Sequence, residues 1–223
     1  MEKREHILKR MVDDGLVAVI RMAETQNLLQ VVEALGRGGL SCIEITMTTP
    51  GALDIITELS RKLGQKVLIG AGTVLDADTA RSAISAGAEF IVSPIFKGEI
   101  VEATHNYDKV CVPGAFTPTE ILRAWEAGAD VVKVFPATVL GPQFFKDIKG
   151  PLPRIRLTPT GGINLENASQ FIEAGADFLG AGGSLLRKEA IRNEQWNQLT
   201  DLAAKFVAII RSAREKIRAK RDQ

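Results

Sequence analysis

The chain alternates short apolar runs with longer amphipathic segments, and this alternation continues to its C-terminal end. The runs have the length of strands and the segments the length of helices, so the pattern predicts eight strand–helix units. Such units form a parallel sheet with helices packed outside it. The predicted strands are Leu16–Arg21, Cys42–Met47, Val67–Gly72, Phe90–Pro94, Val110–Ala115, Val131–Pro136, Arg154–Thr160 and Phe178–Ala181.

A weak internal repeat supports this count. The segments "AGAEF", "AGADV" and "AGADF", at 86–90, 127–131 and 174–178, each place a glycine between a predicted helix and a strand. Glycine suits the left-handed position that ends a helix, so the repeat marks equivalent helix-to-strand turns. The predicted helices are Thr25–Leu35, Leu53–Leu63, Thr79–Ala86, Glu99–Asn106, Thr119–Glu126, Phe144–Ile148, Leu165–Ala174 and a final one near Gln195–Lys216.

Eight such units in 223 residues predict an α/β fold of the (β/α)8 TIM-barrel type. No Gly/Ser linker divides the chain, so we expect a single domain over residues 1–223. It would have an extra N-terminal helix at about 1–14, a barrel at about 15–187 and a C-terminal helix at about 190–220. An open doubly wound sheet is the alternative, but the first strand–helix turn, "AVIRMAETQ", lacks the GxGxxG of a dinucleotide site.

Charge and targeting signals restrict the classes of partner. The 28 Lys and Arg residues balance 27 Asp and Glu residues, so no global charge attracts nucleic acid or an anionic membrane. The N-terminal segment is charged and lacks the apolar stretch of a signal peptide, and Cys42 and Cys111 have no disulfide-like or metal-ligand spacing. We therefore expect a cytoplasmic protein with reduced cysteines and without nucleic-acid or membrane partners.

Two charged residues are predicted to lie inside the barrel. Side chains alternate across a strand, so the apolar Ile43 and Ile45 face the helices and send Glu44 to the interior. In "DVVKVFP" the same alternation directs Lys133 inward, and Arg21, at the end of the first strand, faces inward or lies at the rim. Barrel interiors are normally filled with branched apolar residues, so three converging ionisable groups need an explanation.

A structural and a chemical explanation are both open for Lys133 and Glu44. The structural one is a buried ion pair that fixes strand register, although such pairs often add little net stability. The chemical one is that burial lowers the pKa of Lys133, which makes it a neutral amine nucleophile with Glu44 beside it to move protons. We favour the chemical explanation, because it accounts for the burial of both charges.

Two glycine-rich turns follow the last two predicted strands, "TPTGGIN" at 158–164 and "GAGGSLL" at 180–186. In barrels of this class, the loops after the seventh and eighth strands often bind phosphate through backbone N–H groups. We therefore predict a phosphate site, to which the Ser184 hydroxyl could add a hydrogen bond. Together with a lysine nucleophile, this site suggests a Schiff-base reaction on a phosphorylated keto compound. The glycines of the two turns are Gly161, Gly162, Gly182 and Gly183.

These residues resemble the 2-keto-3-deoxy-6-phosphogluconate (KDPG) and 4-hydroxy-2-oxoglutarate (KHG) aldolases. The segment "GADVVKVFPATVLG" at 128–141 resembles the family's Schiff-base lysine segment, and "GLSCIEIT" at 39–46 resembles its glutamate segment. The resemblance covers about residues 15–187. Further matching blocks are "GAGTV" at 70–74, "IVSP" at 91–94, "PTGGIN" at 159–164 and "GGS" at 182–184.

The resemblance implies a catalytic role for each of the two interior residues. Lys133 would attack the C2 ketone and form an iminium, and Glu44 would act as general acid and base through a water molecule. Cleavage would release pyruvate and glyceraldehyde 3-phosphate, with no metal ion or other cofactor, since the protonated imine accepts the electrons. The family further implies a homotrimer.

The remaining family positions imply how the substrate is held. The positions implied to line the pyruvyl pocket are Thr73, Pro94 and Phe135, and those implied to contact the phosphate and tail are Thr160, Gly161, Gly162, Gly183 and Ser184. One departure concerns the substrate carboxylate. Many members carry an arginine where this chain has Thr48, so we expect Arg21 to bind the carboxylate instead.

Several functions stay open at this point. The preferred substrate could be KDPG, its galactonate isomer (KDPGal) or 4-hydroxy-2-oxoglutarate. A phosphate-binding isomerase or synthase that forms no covalent intermediate is a second possibility, and a noncatalytic sugar-phosphate sensor is a third.

Overall fold

The computed structural model describes residues 3–64 and 66–221, in which strands and helices alternate. The strands are β1 (Leu16–Ile20), β2 (Cys42–Thr46), β3 (Leu68–Gly72), β4 (Phe90–Val92), β5 (Val110–Val112), β6 (Gly114–Ala115), β7 (Val132–Val134), β8 (Leu157–Pro159) and β9 (Leu179–Ala181). The helices are α1 (Lys3–Asp14), α2 (Leu28–Arg37), α3 (Ala52–Leu63), α4 (Ala77–Ser85), α5 (Gly98–His105), α6 (Pro118–Glu126), α7 (Ala137–Lys149), α8 (Ala168–Glu173), α9 (Lys188–Arg192) and α10 (Trp196–Arg221).

All strand pairs are parallel, and they form two sheets. The larger has six strands in the order β5-β4-β3-β2-β1-β9, and the smaller has three in the order β6-β7-β8. The predicted α/β class with a parallel sheet is therefore confirmed. The prediction of one continuous eight-stranded barrel is not met as stated. The predicted fifth strand is divided at Pro113, which has no N–H to donate to a neighbouring strand, and β8 and β9 belong to different sheets.

The two sheets adjoin at both of their edges. At one edge, the N–H of Asp130 donates to the carbonyl of Cys111 at 3.1 Å, and the N–H of Lys133 donates to the carbonyl of Pro113 at 2.9 Å. At the other edge, Thr160 and Gly180 form a parallel bridge. The carboxyl ends of β1 to β9 consequently meet on one side of the molecule.

The predicted division of each strand into two faces is confirmed. Ile43 and Ile45 belong to a large apolar cluster that includes the buried faces of the helices, and so do Val132 and Val134. A separate cluster holds side chains from the other face of the strands. Its members are Val17, Cys42, Leu68, Phe90, Val92, Val110, Val112, Val131 and Phe178, together with Ile7, Leu8 and Met11 of α1.

The terminal helices differ in detail from the prediction. The N-terminal helix forms as α1, but the predicted C-terminal helix is interrupted, since Glu194 has a left-handed φ of 53° between α9 and α10. Helix α7 begins earlier than the predicted Phe144 and contains a break at Gly141, with φ 66° and ψ 178°. In the part of the chain that the structure describes, no helix is both long and apolar enough to cross a membrane.

Candidate active site

Glu44 and Lys133 are charged residues in the middle of two strands. Glu44 lies in β2 and keeps 3% of its surface exposed, and Lys133 lies in β7 and keeps 5%. Their strand neighbours Ile43, Ile45, Val132 and Val134 are fully buried on the opposite face. The alternation of the two strands thus directs a carboxyl group and an amine away from the helices and towards the enclosed face.

The environment of Lys133 favours its neutral form. Burial lowers the pKa of Lys133 from its ordinary value of 10.5, because an ammonium loses its hydration there. The carboxylate of Glu44 opposes this effect and the positive charge of Arg21 adds to it. Nζ of Lys133 also lies over the ring of Phe135, 4.9 Å from the ring centroid, and this contact opposes the effect of burial because an aromatic face attracts a cation. A neutral amine is the form that can attack a carbonyl carbon.

The environment of Glu44 favours its protonated form. Burial raises the pKa of Glu44 above its ordinary value, while the charges of Lys133 and Arg21 oppose the rise. A raised pKa moves a carboxyl group towards the range in which it can both donate and accept a proton, which general acid–base catalysis requires. The same burial therefore lowers the pKa of the amine and raises the pKa of the carboxyl group, so the two pKa values move towards each other.

A gap separates the two groups. Both belong to the described residues, and no ion pair of 4.0 Å or less joins Glu44 to Lys133. A narrow cavity between them has room for about one water-sized sphere. Its floor is formed by Met11, Val17 and Phe178, so α1 closes the site from below. A single water molecule in this cavity would lie among side chains that include both Lys133 and Glu44.

The other predicted site residues lie at the carboxyl ends of the strands, and Thr160 among them also lines the cavity. Arg21, Thr73, Phe135, Thr160 and Gly182 each directly follow a strand, while Thr48 and Pro94 lie two residues beyond one. Ligands of parallel α/β folds bind at this end of the sheet. Thr73 has a left-handed φ of 58°, which is uncommon for a β-branched residue and is typical of strain held at functional sites.

Arg21 and Thr48 are exposed beyond the carboxyl ends of β1 and β2. The Arg21 guanidinium is near enough to influence the pKa values of both Glu44 and Lys133. The Thr48 hydroxyl is hydrogen-bonded to the buried Thr46 hydroxyl at 3.0 Å, and Thr46 is in turn 3.3 Å from the hydroxyl of Thr49. The sequence prediction did not assign a role to Thr49, whose only signal was its place in the run "TMTT".

The two glycine-rich turns lie side by side. Gly161 and Gly162 have left-handed φ values of 96° and 72°, which favour glycine at both positions. The Ser184 hydroxyl donates a hydrogen bond to the carbonyl of Ile163, so it joins the turns to each other. Within the described chain, the backbone N–H groups of Gly162, Gly183 and Ser184 have no protein acceptor. Backbone N–H groups without a protein acceptor can donate hydrogen bonds to a bound anion.

Two contributors to the site were missed by the sequence prediction. Met11 was placed in a helix outside the barrel, although its apolar spacing from Ile7 and Leu8 marks a buried face. Gly72 was predicted only as the last residue of a strand and as part of "GAGTV", although the Glu44 side chain rests against it: a Cβ added to Gly72 would lie 1.8 Å from Glu44 Oε1.

Comparison with known proteins adds an independent observation. A family model described as "KDPG and KHG aldolase" matches residues 7–202. The 2-dehydro-3-deoxy-phosphogluconate aldolase of Treponema pallidum is 34% identical over 197 residues, which are 87% of this chain and 93% of that protein. The 2-dehydro-3-deoxy-6-phosphogalactonate aldolase of Escherichia coli is 33% identical over 199 residues, 89% of this chain and 95% of that protein.

One solved structure of similar fold contains a covalent reaction intermediate. The KDPG aldolase of Legionella pneumophila, with pyruvate captured as a covalent carbinolamine intermediate, superposes with a TM-score of 0.82 at 30% identity. The match covers 88% of this chain and 96% of that one.

Proposed function

The chain belongs to the KDPG and KHG aldolase family, and we propose that it is a class I aldolase that cleaves KDPG into pyruvate and glyceraldehyde 3-phosphate. The observation that carries this proposal is the burial of Lys133, with its lowered pKa, across a water-sized gap from Glu44. A lysine nucleophile with a general acid–base group beside it is the minimum that Schiff-base chemistry requires. Cleavage is therefore assigned to these two residues.

The reaction begins at the Lys133 amine. Its neutral Nζ attacks the C2 carbonyl carbon of the substrate and forms a carbinolamine, which loses water to give a protonated imine. The hydroxyl proton at C4 is then removed, the C3–C4 bond breaks, and its electron pair moves into the imine to form an enamine. The aldehyde departs at this step. Protonation of the enamine at C3 and hydrolysis of the imine then release pyruvate and return Lys133 to its free form.

Glu44 serves as the proton carrier in these steps. In its protonated form it supplies a proton to the departing hydroxyl of the carbinolamine, and in its ionised form it takes the proton of the C4 hydroxyl. The raised pKa of Glu44 moves it towards the range in which both forms are accessible. The gap between Glu44 and Lys133 has room for about one water molecule, which would relay the proton.

We assign the remaining positions by their place at or just beyond the carboxyl ends of the strands. Arg21 binds the substrate carboxylate, with Thr48 beside it, and Thr73, Pro94 and Phe135 line the pyruvyl pocket. The phosphate binds at the paired glycine turns, where unpaired N–H groups support this role. The residues assigned to the phosphate and the tail are Thr160, Gly161, Gly162, Gly182, Gly183 and Ser184.

The galactonate isomer is a second candidate substrate, because a KDPGal aldolase is as similar to this chain as the KDPG aldolases are. The two sugar acids differ at C4, and 4-hydroxy-2-oxoglutarate lacks the phosphate. The test is to measure kcat/KM for cleavage of all three compounds by the purified protein. Highest activity on KDPG supports the proposal, highest activity on KDPGal supports the second candidate, and no cleavage of any of the three contradicts both.

Replacing Arg21 with Ala is expected to raise the KM for pyruvate in the condensation direction by about 10- to 100-fold, the range of a lost charge-assisted hydrogen bond to a carboxylate. Steady-state kinetics with varied pyruvate would measure this. Arg21→Lys is the matched control, since it keeps the charge but not the planar fork, and its KM should fall between those of Arg21→Ala and the wild type. An unchanged KM in Arg21→Ala would show that Arg21 does not bind the substrate carboxylate.

Four broader properties are also proposed. The hydrogen bonds at both sheet edges support one closed (β/α)8 barrel that forms a single domain over residues 1–223. Exposed apolar side chains on the loops after three strands support association of the chain as a homotrimer. They are Leu75, Ile95 and Phe116. The cytoplasm is the proposed location, and the buried, unpaired Cys42 and Cys111 support it because thiols stay reduced there.

A further inference from the structure

Two of the three β3 positions on the enclosed face are glycines and therefore have no side chain. The register pairs Cys42, Glu44 and Thr46 of β2 with Leu68, Gly70 and Gly72 of β3, so these six positions share one face. Leu68 fills its position with a side chain in the interior cluster. The two glycines leave their positions open to side chains from the neighbouring strands.

Each of these openings is filled by a different neighbour. A Cβ added to Gly70 would lie 2.3 Å from the ring of Phe90 in β4. A Cβ added to Gly72 would lie 1.8 Å from Oε1 and 2.4 Å from Cδ of Glu44. The Glu44 side chain therefore leans along the sheet, past its own partner Gly70, and rests where the next inward side chain of β3 would stand.

We propose that Gly72 is a positioning residue: because it has no side chain, it leaves the space in which the Glu44 carboxyl group lies. Packing is what holds this carboxyl group in place. Among the described residues, it accepts no protein hydrogen bond and forms no ion pair of 4.0 Å or less. The space beside Gly72 keeps the carboxyl group at the water-sized gap that faces Lys133.

The backbone at Gly72 does not require glycine. The left-handed glycines among the described residues include Gly51, Gly161 and Gly162 but not Gly72, and the left-handed residue at this turn is Thr73. An alanine at position 72 therefore meets no conformational penalty from φ. What separates glycine from alanine there is the space that the Glu44 carboxyl group occupies.

This inference rests on the proposed function and is tested by a double-mutant cycle on the full-length protein. Gly72→Ala is expected to lower kcat for KDPG cleavage by about 10- to 100-fold, less than the roughly 10²- to 10⁴-fold cost of losing general acid–base catalysis entirely, because it displaces the carboxyl group without removing it, and to change KM less. In a Glu44→Ala background the same substitution should change kcat by less than about twofold, because the side chain that it displaces is absent.

Gly70→Ala is the matched control on the same strand and face. Its Cβ meets Phe90 rather than Glu44, so its effect on kcat should be of similar size with or without the Glu44 side chain. Wild-type cleavage, measured in parallel, separates a failure of the proposed function from a failure of this inference.

Each outcome of the cycle supports or overturns the assignment of Gly72. An equal loss of kcat in both backgrounds would overturn it, and so would wild-type kcat in Gly72→Ala. Where Gly72→Ala alone fails to fold, recovery of folding in the double variant with Glu44→Ala supports the contact. Failure of both variants to fold overturns it, because the added methyl group would then act on something other than Glu44.

Discussion

Lys133→Met is expected to lower kcat for KDPG cleavage by at least about 10⁴-fold, the order of loss seen when an enzyme's nucleophile is removed. Without the amine no imine forms, and no other group in the gap can hold the electrons of the C3–C4 bond. Cleavage assays with purified protein would measure the loss. Residual activity within about 100-fold of the wild type would contradict a covalent role for Lys133.

The same variant should fold at least as stably as the wild type at neutral pH. Burial lowers the pKa of Lys133 from 10.5, so between the lowered value and 10.5 the unfolded chain binds more protons than the folded one. Wild-type stability therefore rises with pH in that window, and below it the charge penalty is fully present. The advantage of Lys133→Met should shrink as the pH approaches 10.5, as denaturant unfolding at several pH values would show.

Lys109→Met is the matched control for this substitution. Lys109 is also a buried lysine, 8% exposed, but it donates a hydrogen bond to Glu89 at 2.7 Å. Its replacement leaves Glu89 without this donor and should reduce stability while leaving kcat unchanged. Loss of activity in both lysine variants would point to a general effect on the fold and not to chemistry at Lys133.

Glu44→Gln is expected to lower kcat by about 10²- to 10⁴-fold, because glutamine keeps the shape of glutamate but cannot carry the proton. The amine of Lys133 remains, so the variant should still form its pyruvate adduct, only more slowly. Rapid-quench measurement of adduct formation, beside steady-state cleavage, would separate the two steps. Wild-type kcat in this variant would assign proton transfer to another group.

The pH dependence provides a further check on Glu44. Because burial raises its pKa, the ionised form that accepts the C4 proton should be reached at a higher pH than for an exposed glutamate. The acidic limb of the wild-type kcat profile should therefore lie above the ordinary glutamate pKa of 4.5, and Glu44→Gln should lack this limb. An identical acidic limb in the variant would contradict the assignment.

The sequence predicted the fold class and the enclosed face because both follow from periodicity. Apolar Ile43 and Ile45 must face helices, which leaves Glu44 on the other face whatever the details of the turns. Division of the fifth strand at Pro113 was harder to predict, since proline is tolerated at a strand edge or break and its neighbours keep an apolar pattern.

The parts of the site that were not predicted depend on contacts between distant segments. Met11 reaches the floor of the gap only because α1 packs against the strand ends, and helical periodicity alone does not identify the surface that a helix covers. Gly72 matters because its lack of a side chain leaves space for the Glu44 carboxyl group. This could not be read from the sequence, since a glycine in a strand can equally mark a bulge or a close backbone approach.

Borohydride reduction in the presence of pyruvate tests the central claim most directly. The intact mass of the wild-type protein should increase by one reduced pyruvate, and peptide mapping should place the adduct on Lys133. Lys133→Met should gain no such mass, whereas Lys109→Met should gain it as the wild type does. An unchanged wild-type mass, in a preparation that cleaves KDPG, would contradict Schiff-base catalysis by this protein.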